Sequence, residues 1–466
     1  MDSRRNRDRL STLPEHLLVP IISNLPFEEA VRTSVLSKPW KNLYHGTTNV
    51  SFKESEFVKR TVSSSEESSN EARAAFVRYV VNWASRFSGD VIQSFELRLS
   101  KPFGFEAEIK HLIEFAVSKQ VKTLVLDFSE LSCDASNQVR PLILFQLPEC
   151  FYNQTTVESL KLFACGFDPS RLANPCAFKS VCFGYTELGR IMTLLSKSPL
   201  LESLTVRNCW NVNLESITGD QNRLRELVFE NCVFATEYTL LDLPNIKVFK
   251  YIGSFHYFQF LAVNRRMEEA YLAYGAETGD EIGQFFCDVL YDLLSARKLT
   301  VCPFLIKAIK DSDDPVRLKA PMETRHLVIN TGLVPDEFVG IRLMINSCPE
   351  LEILTLQMFP SVPVARYTPG FNPMSYWAYQ ISHKCLKKTL KVVQVRNFTG
   401  SMYELILLRY LIRSARVLER VDLYLPVGAS ESEKSSVRAI ISTLGDEGVA
   451  SSKVLRIRQL TGRINC

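Results

Sequence analysis

One phrase returns along the chain and limits what it can fold into: "VESLKLFACGF" from Val157, "LESLTVRNCWNV" from Leu201 and "LRELVFENCVF" from Leu224. Each follows L-x-x-L-x-L-x-x-C, with another apolar residue at an occasional position and a further apolar residue soon after. The second and third copies lie about 23 residues apart, inside the window of roughly 20 to 29 residues that marks leucine-rich repeats. Weaker copies begin at Ile92, Val121, Phe178 and Ile246, and later at Ala296, Thr324, Leu351, Leu390, Leu418 and Ser452. Spacings of about 21 to 23 residues through the middle and about 27 to 39 elsewhere describe irregular repeats with inserted loops.

Each L-x-L reads as a short strand that turns two aliphatic side chains inward and the residue between them outward. Between strands lie segments such as "ELGRIMTLLSKSPL", where Leu188, Ile191, Leu194 and Leu195 fall at helical spacing and Pro199 stops the helix. The expected fold is α/β: an irregular leucine-rich-repeat solenoid of parallel strands plus helices, curved because every unit repeats a small rotation. A doubly wound α/β domain is the alternative, and the number of units argues against it.

Composition narrows the function. The 466 residues are 46% hydrophobic and 23% charged with a formal net charge of +4, which neither implies disorder nor marks a nucleic-acid binder. The basic start "MDSRRNRDRL" lacks the apolar core of a secretory signal. It reads as a solvated tail, with a weak nuclear signal as the alternative. The most apolar window, residues 403–412, is far short of the ~20 residues that span a bilayer, so no membrane is expected. Twelve cysteines scattered without a signal peptide point to reduced, buried thiols in the cytoplasm or nucleus.

Two stretches interrupt the pattern. Residues 61–73, "TVSSSEESSNEAR", are Ser/Glu-rich and read as a mobile loop that separates the start of the chain from the array. Residues 361–384 hold three prolines and several aromatics, and read as an irregular surface loop. Tyr367, Phe371, Tyr376 and Trp377 within it either anchor a partner or seal the junction with the final region.

The opening segment, "LSTLPEHLLVPIISNLPFEEAVRTSVLSKPWKNLY", is a compact hydrophobic piece. Pro14 suits a helix start, and Leu17, Leu18, Ile21, Ile22 and Leu25 form an apolar face that "NLP" ends. A second helix is expected over residues 28–35, and a third after Ser37 as N-cap, with Pro39, Trp40 and Leu43. Three helices in about 35 residues lack a self-sufficient core. The remainder comes from a partner's groove or from the open end of the array, which such a module would cap.

This segment resembles the F-box as it occurs in plant proteins: "LPEHLLVPIISNLP" resembles the first helix and "AVRTSVLSKPWKNLY" the second and third. Residues 385–426 are similar to the FBD region, and the middle looks like plant leucine-rich repeats. The resemblance implies residues 1–50 as an F-box helical domain, 51–90 as linker and helix, 91–375 as the solenoid and 376–466 as an FBD-like region continuing it. It further implies a non-catalytic substrate receptor of an SCF-type ubiquitin ligase. On the matching positions, Leu13, Pro14, Leu17, Leu18, Ile21, Leu25, Pro26, Val31, Val35, Leu36, Trp40 and Leu43 form the surface facing a Skp-type adaptor and its supporting core. Pro20 departs from the pattern, since an interior proline removes a hydrogen bond and clashes with the preceding turn, which leaves a kinked helix or weaker docking. Tyr44 stands where the family usually carries a second tryptophan.

Catalytic constellations are sparse. His16, His45, His111, His256, His326 and His383 show no metal-binding spacing, and no C-x-x-C is present. Cys165, Cys209 and Cys232 recur at one place in their units, which suits a buried structural thiol. Gly275, Gly279 and Gly283 match no phosphate loop, and "DSDDP" from Asp311 lacks the rest of a calcium loop. No cofactor or metal is implied.

The outward residues of the strands are the natural target contacts. Lys161, Phe163, Thr205, Arg207, Val228, Glu230, Lys250 and Thr300 are such residues, and their mixed character points to a protein target rather than a polyanion. The leading reading is an F-box receptor that recruits a protein for ubiquitination. The alternatives are a repeat scaffold whose F-box assembles no ligase, and an enzyme on an α/β fold, which the missing motifs disfavour.

Overall fold

The structure, a computed structural model, describes residues 10–57, 66–129, 143–173, 175–217, 223–261, 264–275, 282–312, 314, 317–359, 373–378, 383–446 and 455–459. The chain divides into two compact units, the first built mainly from residues 1–215 and the second mainly from 238–466, with the residues between shared out.

In the first unit the strands Asn49–Lys53, Ser94–Arg98, Thr123–Asp127, Ser159–Phe163, Ser180–Gly184 and Ser203–Arg207 lie side by side in that order. Every pair is parallel and in the same register. That register makes two continuous inward ladders. One runs Val50, Phe95, Leu124, Leu160, Val181, Leu204 and the other Phe52, Leu97, Leu126, Leu162, Phe183, Val206, and all are buried. The second unit repeats the device over Glu226–Glu230, Val248–Gly253, Glu269–Tyr274, Lys298–Val301, His326–Thr331, Ile353–Met358, Val392–Arg396, Arg420–Leu425 and Leu455–Gln459. Its inward ladder from Leu227 through Phe249, Ala270, Leu299, Leu327, Leu354 and Val393 to Val421 is wholly buried. The fold is therefore α/β, a leucine-rich-repeat array of parallel strands with helices between them.

A turn of fixed conformation follows the central strands of the first unit. Ala164, Tyr185 and Asn208 have φ of 54°, 53° and 50°, the left-handed region that asparagine tolerates and other residues enter at a cost of about 1 kcal/mol or more. The next residue then points into the core: Cys165, Thr186 and Cys209 are buried. Thr186 donates its hydroxyl to the Cys165 carbonyl at 2.6 Å, and the Cys232 thiol reaches the Val206 carbonyl at 3.3 Å. These polar side chains satisfy carbonyls that the end of each strand leaves open. Burial raises the Cys165 and Cys209 thiols well above the usual cysteine range, so they are structural, not nucleophilic.

Two sequence expectations need correction here. The first strand of the array, Asn49–Lys53, pairs with Ser94–Arg98 and crosses the expected boundary between the F-box domain and the stretch of linker and helix. Of the loop expected over residues 61–73, residues 66–73 are helical instead. Residues 61–65 lie outside the described residues, and Glu66 opens a helix to Arg86 that buries Phe76, Val77, Val80, Trp83 and Ala84. Helical spacing of these apolar residues downstream carries the helix back through the polar stretch.

In the second unit, Gly340 sits where the helix Phe338–Ser347 meets the helix Pro303–Ala308. A Cβ there would lie 2.0 Å from the Ile306 carbonyl oxygen, so only glycine permits the approach. The helix Met402–Ser414 begins with a capping box, Ser401 Oγ accepting from the Glu404 amide and Glu404 Oε2 accepting from the Ser401 amide at 2.6 Å. Trp377, on the helix Pro373–Ala378, is buried against Phe338 and Tyr410 at 5.7 and 4.7 Å. The Arg342 guanidinium stacks over Tyr376 and Trp377 at 3.9 and 4.7 Å. Of the two roles expected for these aromatics, Tyr376 and Trp377 seal the junction; Tyr367 and Phe371 lie outside the described residues.

Candidate functional site

The opening module has three faces. Pro14, extended at φ −61° and ψ 149°, precedes the helix Glu15–Ser23, and its carbonyl accepts from the Leu17 and Leu18 amides at 3.0 and 3.2 Å. A second helix, Phe27–Arg32, follows and tightens into a 3₁₀ turn over Thr33–Val35. The third expected helix resolves into two 3₁₀ turns, Lys38–Trp40 and Leu43–Gly46. Ser37 makes no side-chain cap. Its hydroxyl instead lies 2.9 Å from Ser11 Oγ, which also accepts from Trp40 Nε1 at 2.8 Å. Pro20 sits inside the unbroken helix, and its own carbonyl accepts from Asn24 Nδ2 at 2.9 Å.

The inner face is a closed core of Leu18, Ile22, Ala30, Trp40 and Leu43, with Leu13 and Val19 packed against it. A second face fuses the module to the array. Phe27 meets Phe52 and Trp83 edge-on at 5.0 and 5.7 Å, and the His45 ring stacks on Trp83 at 6.3 Å. The His45 carbonyl accepts from the Ser88 amide at 3.2 Å and that of Thr48 from Gln93 at 2.8 Å. Burial and the nearby Arg86 charge lower the His45 pKa, which favours the neutral ring in this packing. The module thus caps the first strand of the sheet.

The third face remains uncovered. Leu17, Ile21 and Leu25 are 46%, 44% and 39% exposed, and Val35 and Leu36 are 85% and 66% exposed. Leu17 and Ile21 stand one turn apart on one helix, next to the buried pair Leu18 and Ile22. The residues singled out from the sequence therefore separate: Leu18, Trp40 and Leu43 are core, Leu13 and Val31 are half-buried, and Pro14, Leu17, Ile21, Leu25, Pro26, Val35 and Leu36 are exposed. Phe27, which the sequence reading omitted, is the joint to the array; its place at N1 after "LP" gives no hint of that.

The outward strand residues also divide. Lys161 and Arg207 are exposed and Phe163, Thr205, Glu230 and Lys250 are half-buried, but Val228 and Thr300 are buried and offer no contact surface. In the register Thr300 stands between Tyr271 and Val328, and Val228 faces Lys250. With strands about 4.8 Å apart, longer neighbours cover a short side chain. Lys250 pairs with Glu269 at 3.4 Å.

Among the described residues no group of three or more His, Cys, Asp or Glu side chains could hold a metal ion, and no helix is long and apolar enough to cross a membrane. His256 and His383 are buried with pKa values lowered to about 4, chiefly by burial, and act as packed side chains.

A leucine-rich-repeat array capped by a helical module with a second, uncovered apolar face defines a repeat protein of the F-box class. The F-box domain family model matches residues 10–43, and the FBD model residues 383–423. An F-box protein of Arabidopsis thaliana is 47% identical over 450 residues, covering 96% of this chain and 97% of the relative. Two putative F-box/LRR-repeat proteins of the same plant are 42% identical over 454 residues (94% and 95% covered) and 41% over 452 (92% and 93%). The chain belongs to the F-box/LRR-repeat family of plant proteins and carries the FBD region.

Proposed function

We propose that this protein is the non-catalytic target-recognition subunit of an SCF-type ubiquitin ligase. The F-box docks on a Skp-type adaptor, and through it on a cullin-based ligase, while the outward faces of the repeats hold a protein target. One observation carries the reading: Leu17, Ile21, Leu25, Val35 and Leu36 stay exposed on a module whose core and whose joint to the array are already complete. Exposed apolar area of this kind gains about 25 cal/mol per Å² when a partner covers it. Most of the described cysteines are buried, which supports reduced thiols in the cytoplasm or nucleus.

The test is co-expression of the full chain with a Skp-type adaptor, comparing wild type with a Leu17→Asp, Ile21→Asp double variant. Adaptor capture by the wild type and its loss in the folded variant support the reading; no capture by the wild type sinks it. Pro20, inside the first helix, favours a second reading, a repeat scaffold that assembles no ligase. Capture appearing only with Pro20→Leu selects that one.

A further inference from the structure

In the first unit a pocket of about 450 Å³ opens at the carboxyl ends of the strands Ser159–Phe163 and Ser180–Gly184, within the usual size range of ligand sites. Leu144, Phe167, Leu188 and Ile191 give it an apolar lining, and Gln146, Asp168, Glu187, Arg190 and Asn211 its polar groups. The end of the Gln146 side chain lies over Gly166.

The hydrogen-bond inventory decides what such a pocket can take. Asp168 is engaged: its Oδ1 accepts from the Ser170 amide and hydroxyl at 3.0 and 2.6 Å, and its Oδ2 pairs with Arg190 at 3.3 Å. Arg190 also donates from the same Nη1 to Ser170 Oγ at 2.9 Å, so that arm of its fork is held at the Asp168 turn. The Thr186 hydroxyl is committed to the Cys165 carbonyl. Glu187 accepts from Asn211 Nδ2 at 2.7 Å through Oε1, and Gln146 donates from Nε2 to the Leu144 carbonyl at 3.2 Å. Asn211 holds a left-handed turn, φ 51°, which suits asparagine.

What remains is one carboxylate oxygen of Glu187 and the amide oxygens of Asn211 and Gln146. These acceptors, one of them charged, stand beside the second N–H groups of Asn211 and Gln146; the carboxylates of Asp168 and Glu187 outnumber the single guanidinium of Arg190, and among the described residues no cation pairs with Glu187. An acceptor-rich rim over an apolar floor suits a side chain with an aliphatic stem and a cationic, donor-rich head. Arginine fits best, since its planar fork carries five donors and its stem and plane pack on apolar and aromatic surface.

We infer that this pocket seats an arginine side chain of the protein target. The inference rests on the repeats being the target-holding part of the molecule. It is tested on the full-length protein with two probes, acetyl-Gly-Arg-Gly-amide and the same peptide with neutral citrulline in place of arginine. Trp210 is a built-in reporter, because its carbonyl accepts from the Leu188 amide at 3.1 Å, next to the pocket. The arginine peptide is expected to bind about tenfold more tightly than the citrulline peptide, and Glu187→Gln to abolish that difference while leaving the weaker binding unchanged. Glu187 is exposed, so the variant keeps its fold. Equal binding of the two peptides, indifference to Glu187→Gln, or a response to inorganic phosphate instead would overturn the assignment. Adaptor capture is measured on the same preparations: its loss with the arginine preference intact counts against the ligase reading alone, and the reverse against the pocket alone.

Discussion

Arg73 Nε lies 3.0 Å from Glu54 Oε1, and both side chains are less than one-tenth exposed. Glu54 Oε2 also accepts from the Ser100 amide and hydroxyl at 2.7 and 2.8 Å, and Arg73 donates to Asn70 Oδ1 at 2.7 Å. The pair pins the helix Glu66–Arg86 to the ends of the first two strands. Removing one partner strands a buried charge, so Arg73→Met should cost about 3 to 5 kcal/mol in urea unfolding. Restoring neutrality with Glu54→Gln in the same chain should recover part of that loss; no recovery would mean that packing, not charge, holds the helix.

The neighbours Leu17 and Leu18 should behave oppositely. Leu18→Ala opens the module's core and is expected to lose about 2 to 5 kcal/mol of stability, read from denaturant midpoints. Leu17→Ala should stay within about 0.5 kcal/mol of wild type yet weaken adaptor capture. A large stability loss at Leu17 would place it in the core and remove it from the docking face.

Pro20→Ala restores an amide that can bond to the His16 carbonyl. An interior proline costs a helix about 3 kcal/mol, partly offset by its stiffening of the unfolded chain, so the variant should unfold at higher denaturant. An unchanged midpoint would show that the helix is already adapted to the ring.

Acid should weaken the protein through its buried histidines. His256 Nε2 lies 2.9 Å from Thr239 Oγ1, and burial holds its pKa at about 4, against about 6.5 for an unfolded chain. Between those values the unfolded chain binds a proton that the native state refuses, so stability rises with pH there. The contribution is complete above about pH 6.5 and fades as pH falls toward 4. Unfolding midpoints at several pH values should show this slope, and His256→Gln should flatten it.

On the outward row, Lys161 is exposed. Lys161→Glu should change stability by no more than about 0.5 kcal/mol and reduce target capture with adaptor capture intact. Loss of both together would indicate misfolding.

Most of the array was legible because an inward pair of large aliphatics announces a strand. Two strands of the long parallel row escaped for the same reason: Asn49–Lys53 presents Val50 and Phe52, and Glu269–Tyr274 presents Ala270 and Leu272, so neither shows the leucine spacing. The opening helix at Glu66 was hidden by serines and glutamates whose apolar partners come later in the helix. Alternation told which side chains point outward, but only the register shows that Tyr271 and Val328 flank Thr300. The acceptor pocket was invisible because its residues come from successive loops that no single motif spans.

The edge-on contacts of Phe27 with Phe52 and Trp83 make the F-box a handle forged onto the first repeats rather than one hung on a string. A fragment ending near residue 50 would cut through that weld and bare an aromatic ring, so its failure to bind would say nothing about the intact chain. In the intact chain, an adaptor gripping Leu17 and Ile21 would also set the bearing of the neighbouring strands, and anything held there would be presented in one orientation instead of merely being kept nearby.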